Sequence, residues 1–127
     1  MTGSARCAAA IIDDDAAVLD SLRFLLEVAG YHVATYPSAL DFLADRGSRP
    51  PCLILDHHMP HMTGLELVAR LRGEGEGMRI MLITGSSTPA IVSRAAALGV
   101  AKVIEKPPVE DELIAFVALS ADGQPPR

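Results

Sequence analysis

Five apolar runs, each followed by an amphipathic stretch, constrain this chain more than any other feature. The runs are "CAAAII" at 7–12, "YHVATY" at 31–36, "CLIL" at 52–55, "RIMLIT" at 79–84 and "AKVIE" at 101–105. Between them, Val18, Leu22, Leu25, Leu26 and Ala29 recur at helical spacing, and Gly30 closes that segment. "SALDFLAD" predicts a short helix started by Ser38 or Pro37, and "GLELVARLR" a longer one stopped by the loop "GEGEG". "TPAIVSRAAALG" carries Thr88 as N-cap, Pro89 at the first helical position and Gly99 as C-cap. "VEDELIAFVAL" predicts a fifth helix. Runs such as Leu53–Leu55 are apolar without alternation, as strands buried on both faces are. Strand–helix repeats with short connections predict an α/β fold, a doubly wound parallel sheet with helices on both faces.

A chain of 127 residues suits one domain. Its core is expected over about 8–119, with residues 120–127 as a mobile tail. The net charge is −5, and the nine arginines and two lysines are scattered, so no basic stripe meets a phosphate backbone. Direct nucleic-acid binding is not expected. The start of the chain lacks a signal-peptide run and no segment is long enough to span a membrane, which predicts a cytoplasmic protein. Cys7 and Cys52 each introduce an apolar run and form no CxxC pair. They are expected to be small, reduced core residues.

In an open parallel sheet, a ligand sits beyond the carboxyl ends of the strands where the strand order reverses. For the order 2-1-3-4-5 that crevice lies between the first and third strands. Asp13, Asp14 and Asp15 follow the first strand and Asp56 follows the third. Thr84 ends the fourth strand and Lys106 follows the fifth, so both reach the same rim. Several carboxylates within a few ångströms raise one another's pKa unless a cation sits among them. Oxygen donors with retained water favour Mg²⁺, commonly alongside a phosphate oxygen. A carboxylate there is a nucleophile towards phosphorus, and Thr84 and Lys106 supply a hydroxyl and a compact positive charge for phosphoryl oxygens.

Taken singly, these residues have plainer readings. "DDD" after a strand fits a helix N-terminus, where an acid caps the first turn and favours the dipole; Asp15 fits that role best. His57 and His61 have the spacing of zinc ligands on one helical face, but Pro60 and Gly64 interrupt the segment. His58 bears on the acidic pocket through its backbone carbonyl.

The set resembles the CheY-like receiver domain of response regulators in two-component signalling, whose fold is flavodoxin-like. The resemblance rests on Asp13–Asp14 after the first strand, "LDHHMPHMTG" around Asp56, "LITG" with Thr84 and "EKP" with Lys106, over nearly the whole chain. It implies that Asp56 accepts a phosphoryl group from a partner histidine kinase. It further implies Mg²⁺ bound by Asp14, Asp56 and the His58 carbonyl, with Asp13 acting mainly through water. Thr84 and Lys106 would bind the phosphoryl group, and Lys106–Pro107 would be a cis peptide. The protein would be a signalling switch rather than an enzyme, self-phosphorylating from a small donor and self-dephosphorylating. Its switching surface would be the fourth helix, fifth strand and fifth helix, with Ile91, Ala95, Lys102 and Val103 on it. That surface would meet a downstream protein, an output domain or a second copy of the chain.

Two residues depart from the family pattern. Val103 stands where receivers usually carry Tyr or Phe, and Pro108 where Phe is frequent. Val103 cannot swing between exposed and buried positions as a ring does. Two other readings compete: a receiver-like interaction module that works without phosphorylation, and a small phosphatase or flavin protein of similar architecture. The intact acidic set opposes the first. The second lacks a further acid near Asp56 and a phosphate loop after the first strand.

Overall fold

A computed structural model of the chain describes residues 7–45, 47 and 49–122. Its five strands are β1 (Ala9–Ile12), β2 (Val33–Tyr36), β3 (Cys52–Asp56), β4 (Arg79–Thr84) and β5 (Lys102–Glu105). The helices are α1 (Ala16–Val28), α2 (Ala39–Ala44), α3 (Gly64–Gly73), α4 (Pro89–Ala97) and α5 (Glu110–Asp122). All strands run parallel, as the alternation of runs predicts, and their order is β2-β1-β3-β4-β5, that of the family the chain resembles. No helix among the described residues is long and apolar enough to cross a membrane.

The central strands are buried along their whole length, and their side chains divide by the two-residue period of a strand. Ala10, Ile12, Leu53 and Leu55 join Phe42, Leu67 and Leu71 on the face covered by α2 and α3. Ala9, Ile11, Cys52 and Ile54 join Leu19, Leu26, Leu113 and Phe116 on the face covered by α1 and α5. Burying about 25 cal/mol per Å² of apolar area on both faces is what holds strands of four to six residues in register. Cys52 is a free, buried core thiol, and burial pushes its pKa up to about 11; Cys7 is free and half-buried.

Helix ends follow the local chemistry. Asp15 caps α1 by accepting from the backbone N–H of Ala17 and Val18, the plainer role expected of it. Ser38 caps α2 and Thr88 caps α4, with Pro89 in its first turn. Thr63 and Glu66 form a reciprocal capping box on α3. Arg72 donates to the carbonyls of Glu76, Met78, Leu98 and Gly99, tying the end of α3 to the end of α4. That role has no signature in sequence.

Two expectations are corrected. The helix reaches Asp122, so residue 120 is no tail: Ser120 is buried, donates to the Phe116 carbonyl and accepts from Arg79 at 2.8 Å. The rest of the expected tail, 123–127, lies outside the described residues, as do 1–6 at the start. Ala95 is not a surface residue but a core one, 1% exposed, because α4 turns it towards the sheet. Ile91 and Val103 are half-buried against the same core, and Lys102 is exposed and paired with Glu112.

Gly64 opens α3 hard against the end of β3. A Cβ there would stand 2.9 Å from both the Asp56 carbonyl oxygen and the His57 Cα, and 2.8 Å from Leu82 Cδ1. Two of those atoms are backbone and cannot yield without moving the strand end. We expect Gly64→Ala to destabilise the fold by about 1–3 kcal/mol, read as a thermal midpoint several degrees lower. An unchanged midpoint would mean that α3 slides freely on β3.

Candidate functional site

The carboxyl edge of the sheet gathers side chains from four separate connections. Asp13 and Asp14 leave β1, Asp56 ends β3, Thr84 ends β4, and Lys106 follows β5. One carboxylate oxygen from each of Asp13, Asp14 and Asp56 lies within 4.8 Å of the others. Asp56 is 3% exposed and Asp13 is 5% exposed, while Asp14 faces solvent. The crevice between the first and third strands is therefore where the sequence places it.

Lys106 Nζ stands 3.1 Å from Asp56 Oδ1, an ion pair at the mouth of the acidic cluster. Oδ1 is otherwise buried without a hydrogen-bonded partner, so its contact with Lys106 is electrostatic rather than an aligned hydrogen bond. Partial burial pushes the Lys106 pKa down, but the carboxylates of Asp56, Asp13 and Asp14 outweigh it and leave the pKa raised. Burial pushes the Asp13 carboxyl up. The Asp15 N–H, donating to Asp13 Oδ1 at 2.9 Å, opposes that rise, and the charge of Asp56 adds to it. The Lys106–Pro107 peptide is cis, as the resemblance implies.

A cluster of hard oxygen donors with one buried, partly unsatisfied carboxylate fits a small divalent cation that keeps some of its water. The alternative nitrogen site does not assemble. His57 and His61 share no helix, and His61 is exposed in a left-handed turn with φ of 72°. The His57 ring serves α3 instead, its Nδ1 accepting the Leu65 N–H at 3.3 Å. That bond keeps Nδ1 unprotonated, in line with a His57 pKa lowered by burial and by the neighbouring His58.

Three features were not legible in sequence. The side chain of His58 reaches Thr84, with Nε2 2.9 Å from Oγ1, whereas only its carbonyl was expected to matter. The Thr84 hydroxyl is also bonded to both the N–H and the carbonyl of Ser86. On the other flank of this loop, Glu105 accepts from the Ser87 N–H and hydroxyl, both at 2.9 Å. These bonds hold the Ser87 carboxylate partner below the usual glutamate range. Adjacent histidines after an acid, and an acid just before the lysine, were the only hints.

Comparison with known proteins agrees with this geometry. The response regulator receiver domain model matches residues 9–118, and the chain belongs to that family. It is 37% identical over 108 residues to the transcriptional regulatory protein FixJ of Bradyrhizobium diazoefficiens, and 39% identical over 115 to FixJ of Azorhizobium caulinodans. Those matches cover 84% and 87% of this chain but 53% of each relative, so the chain spans about half the length of the curated relatives it matches. Among solved structures, a CheY-like receiver domain from Methanospirillum hungatei JF-1 superposes with a TM-score of 0.83 at 28% identity, covering 91% of this chain and 93% of that one. The crystal structure of FixJ-N gives 0.83 at 28% identity, covering 98% and 100%.

Two outcomes follow from the site's charges. A raised Asp13 pKa means the folded state binds its proton more readily than the unfolded state, so this group's contribution to stability falls as pH rises through the folded pKa. Asp13→Asn keeps an acceptor for the Asp15 N–H and removes the charge. In chelator-treated protein near pH 7 it should raise the thermal midpoint by a few degrees, for about 1 kcal/mol of relieved repulsion. Millimolar Mg²⁺ should narrow that gap, and a lower midpoint in the variant would make the Asp13 charge structural. The Glu105 pKa is depressed, so its hold on Ser87 is present above the ordinary glutamate value of 4.5 and is lost as pH falls through the lower folded value. Protection of the Ser87 amide, its hydrogen exchange measured against the intrinsic rate at each pH, should fall across that acid range, and Glu105→Gln should flatten the profile.

Proposed function

We propose that this receiver domain is a phosphorylation-dependent signalling switch whose phosphoacceptor is Asp56. The observation that carries the reading is the buried Asp56 carboxylate, held 3.1 Å from Lys106 with Asp13 and Asp14 beside it. In the reaction a free Asp56 oxygen attacks the phosphorus of a phosphohistidine on a partner kinase. The new O–P bond forms as the N–P bond breaks, and the imidazole leaves and takes up a proton. Asp14, Asp56 and the His58 carbonyl, with Asp13 through water, would hold Mg²⁺, whose charge would offset that of the phosphoryl oxygens. Lys106 keeps its ammonium charge beside them, favoured by the surrounding acids. Thr84, one strand away, is the hydroxyl available to a phosphoryl oxygen once its present partners release it.

Movement of Thr84 would draw the β4–α4 loop with it and change the surface made by α4, β5 and α5. Ile91, Lys102 and Val103 lie on that side of the sheet. A downstream protein, an output domain or a second copy of the chain would read the change. The half-length match to FixJ proteins, which are called transcriptional regulators, supports an output domain in a longer regulator. The arginines and lysines are scattered along the sequence rather than grouped, so DNA contact would belong to that other part.

Incubation with acetyl phosphate and Mg²⁺ tests the reading by intact-protein mass. One added phosphoryl group is expected on the wild type and none on Asp56→Asn. An unlabelled wild type, or a labelled variant, would overturn it.

A further inference from the structure

The Thr84 hydroxyl has one proton and two lone pairs. With its proton given to the Ser86 carbonyl and one lone pair taking the Ser86 N–H, a single lone pair remains for a donor at His58 Nε2. The opposite tautomer of His58 would take the hydroxyl proton and leave the Ser86 carbonyl unserved. In both arrangements the hydroxyl proton is already committed, and none of the hydroxyl's partners is Asp56. Thr84 is 0% exposed, whereas His58 is exposed, so this bond couples a buried hydroxyl to a surface ring.

The ring is itself supported. It packs edge-to-face on His57 with centroids 5.0 Å apart at 71°, and His57 is fixed by the Leu65 N–H at the start of α3. A continuous path thus runs from the N-terminus of α3 through both imidazoles to the end of β4. On the neighbouring strand, position 103 carries a β-branched valine, half-buried in the core beside Leu82, with no ring to swing outward.

We propose that His58 is a positioning residue whose imidazole holds the Thr84 hydroxyl in the unphosphorylated arrangement, and whose release when Thr84 turns towards a phosphoryl group makes this ring, rather than a side chain at position 103, the surface reporter of phosphorylation. The inference rests on the reading of Asp56 as phosphoacceptor. It predicts that the bond biases the resting equilibrium against the phosphoryl-accepting arrangement. Loss of one such bond shifts a two-state equilibrium roughly two- to tenfold.

The test compares three substitutions in the full chain, with acetyl phosphate and Mg²⁺ as the probe. His58→Ala removes the ring, His58→Phe keeps a ring without the bond, and His58→Gln places an amide N–H at similar reach. Phosphoryl uptake is followed by intact mass, and the ring resonances of His58 by NMR, with His32 as an internal reference away from the site. We expect Ala and Phe to accept the phosphoryl group roughly two- to tenfold faster than wild type, and Gln to return towards the wild-type rate. The His58 ring signals should shift on phosphorylation while those of His32 stay put. Equal rates in wild type and His58→Phe, acceleration in Gln as large as in Phe, or unmoved His58 signals in a phosphorylated wild type would each overturn the latch alone. A wild type that takes up no phosphoryl group would remove the underlying reading and the latch with it.

Discussion

A carboxylate buried at the end of an apolar strand must be met by positive charge, and the arrangement around Asp56 answers that demand. β3 carries Asp56 out of the sheet centre with 3% of its surface exposed, while Asp13 and Asp14 come up beside it from β1. Desolvation and the neighbouring Asp56 charge both oppose ionisation of Asp13. Lys106 opposes them, reaching Asp56 Oδ1 at 3.1 Å from the far side of β4. One lysine against three acids leaves the pocket with surplus negative charge. A small divalent cation is the partner that such a surplus favours, and an incoming phosphoryl group would be the next ligand.

The fold makes that meeting possible because β1 and β3 are neighbours while β2 lies outside them. Loops separated by more than forty residues then open at the same edge. Close backbone approach fixes the level of the acceptor: Gly64 lies against the Asp56 carbonyl, and its N–H donates to the His57 carbonyl at 2.9 Å. Two further groups hold the β4–α4 loop at rest, His58 through Thr84 and Glu105 through Ser87. The site therefore combines a rigid acceptor with a loop restrained by hydrogen bonds at the surface. The His58–Thr84 bond, at roughly 0.5–1.5 kcal/mol, is weak enough for one phosphoryl group to exchange it.

How much of this could be read without a structure differs by level. Parallel strands announce themselves through uninterrupted apolar runs, and caps such as Asp15, Ser38 and Thr88 through local chemistry, so β1 to β5 and the helix starts were accessible. The acidic convergence was accessible too, because strand order turns distant residues into neighbours. Side-chain direction was not. Ala95 and Ser120 look like surface and tail residues in a string of letters, yet one faces the sheet and the other accepts a hydrogen bond from Arg79. His57, His58 and His61 present the same imidazole three times, and only the loop path sends one to α3, one to Thr84 and one to solvent. Nothing local to a residue encodes which distant backbone group it will meet.

Asp13, Asp14 and Asp56 are close enough together to share a single divalent ion. Substituting paramagnetic Mn²⁺ and following amide line widths by NMR tests that sharing most directly. Broadening should concentrate at residues 13–15 and 56–58, extend to Lys106, and disappear when excess Mg²⁺ competes. Broadening spread over the exposed acids of α1 and α5, or confined to only one of the two acidic loops, would contradict it.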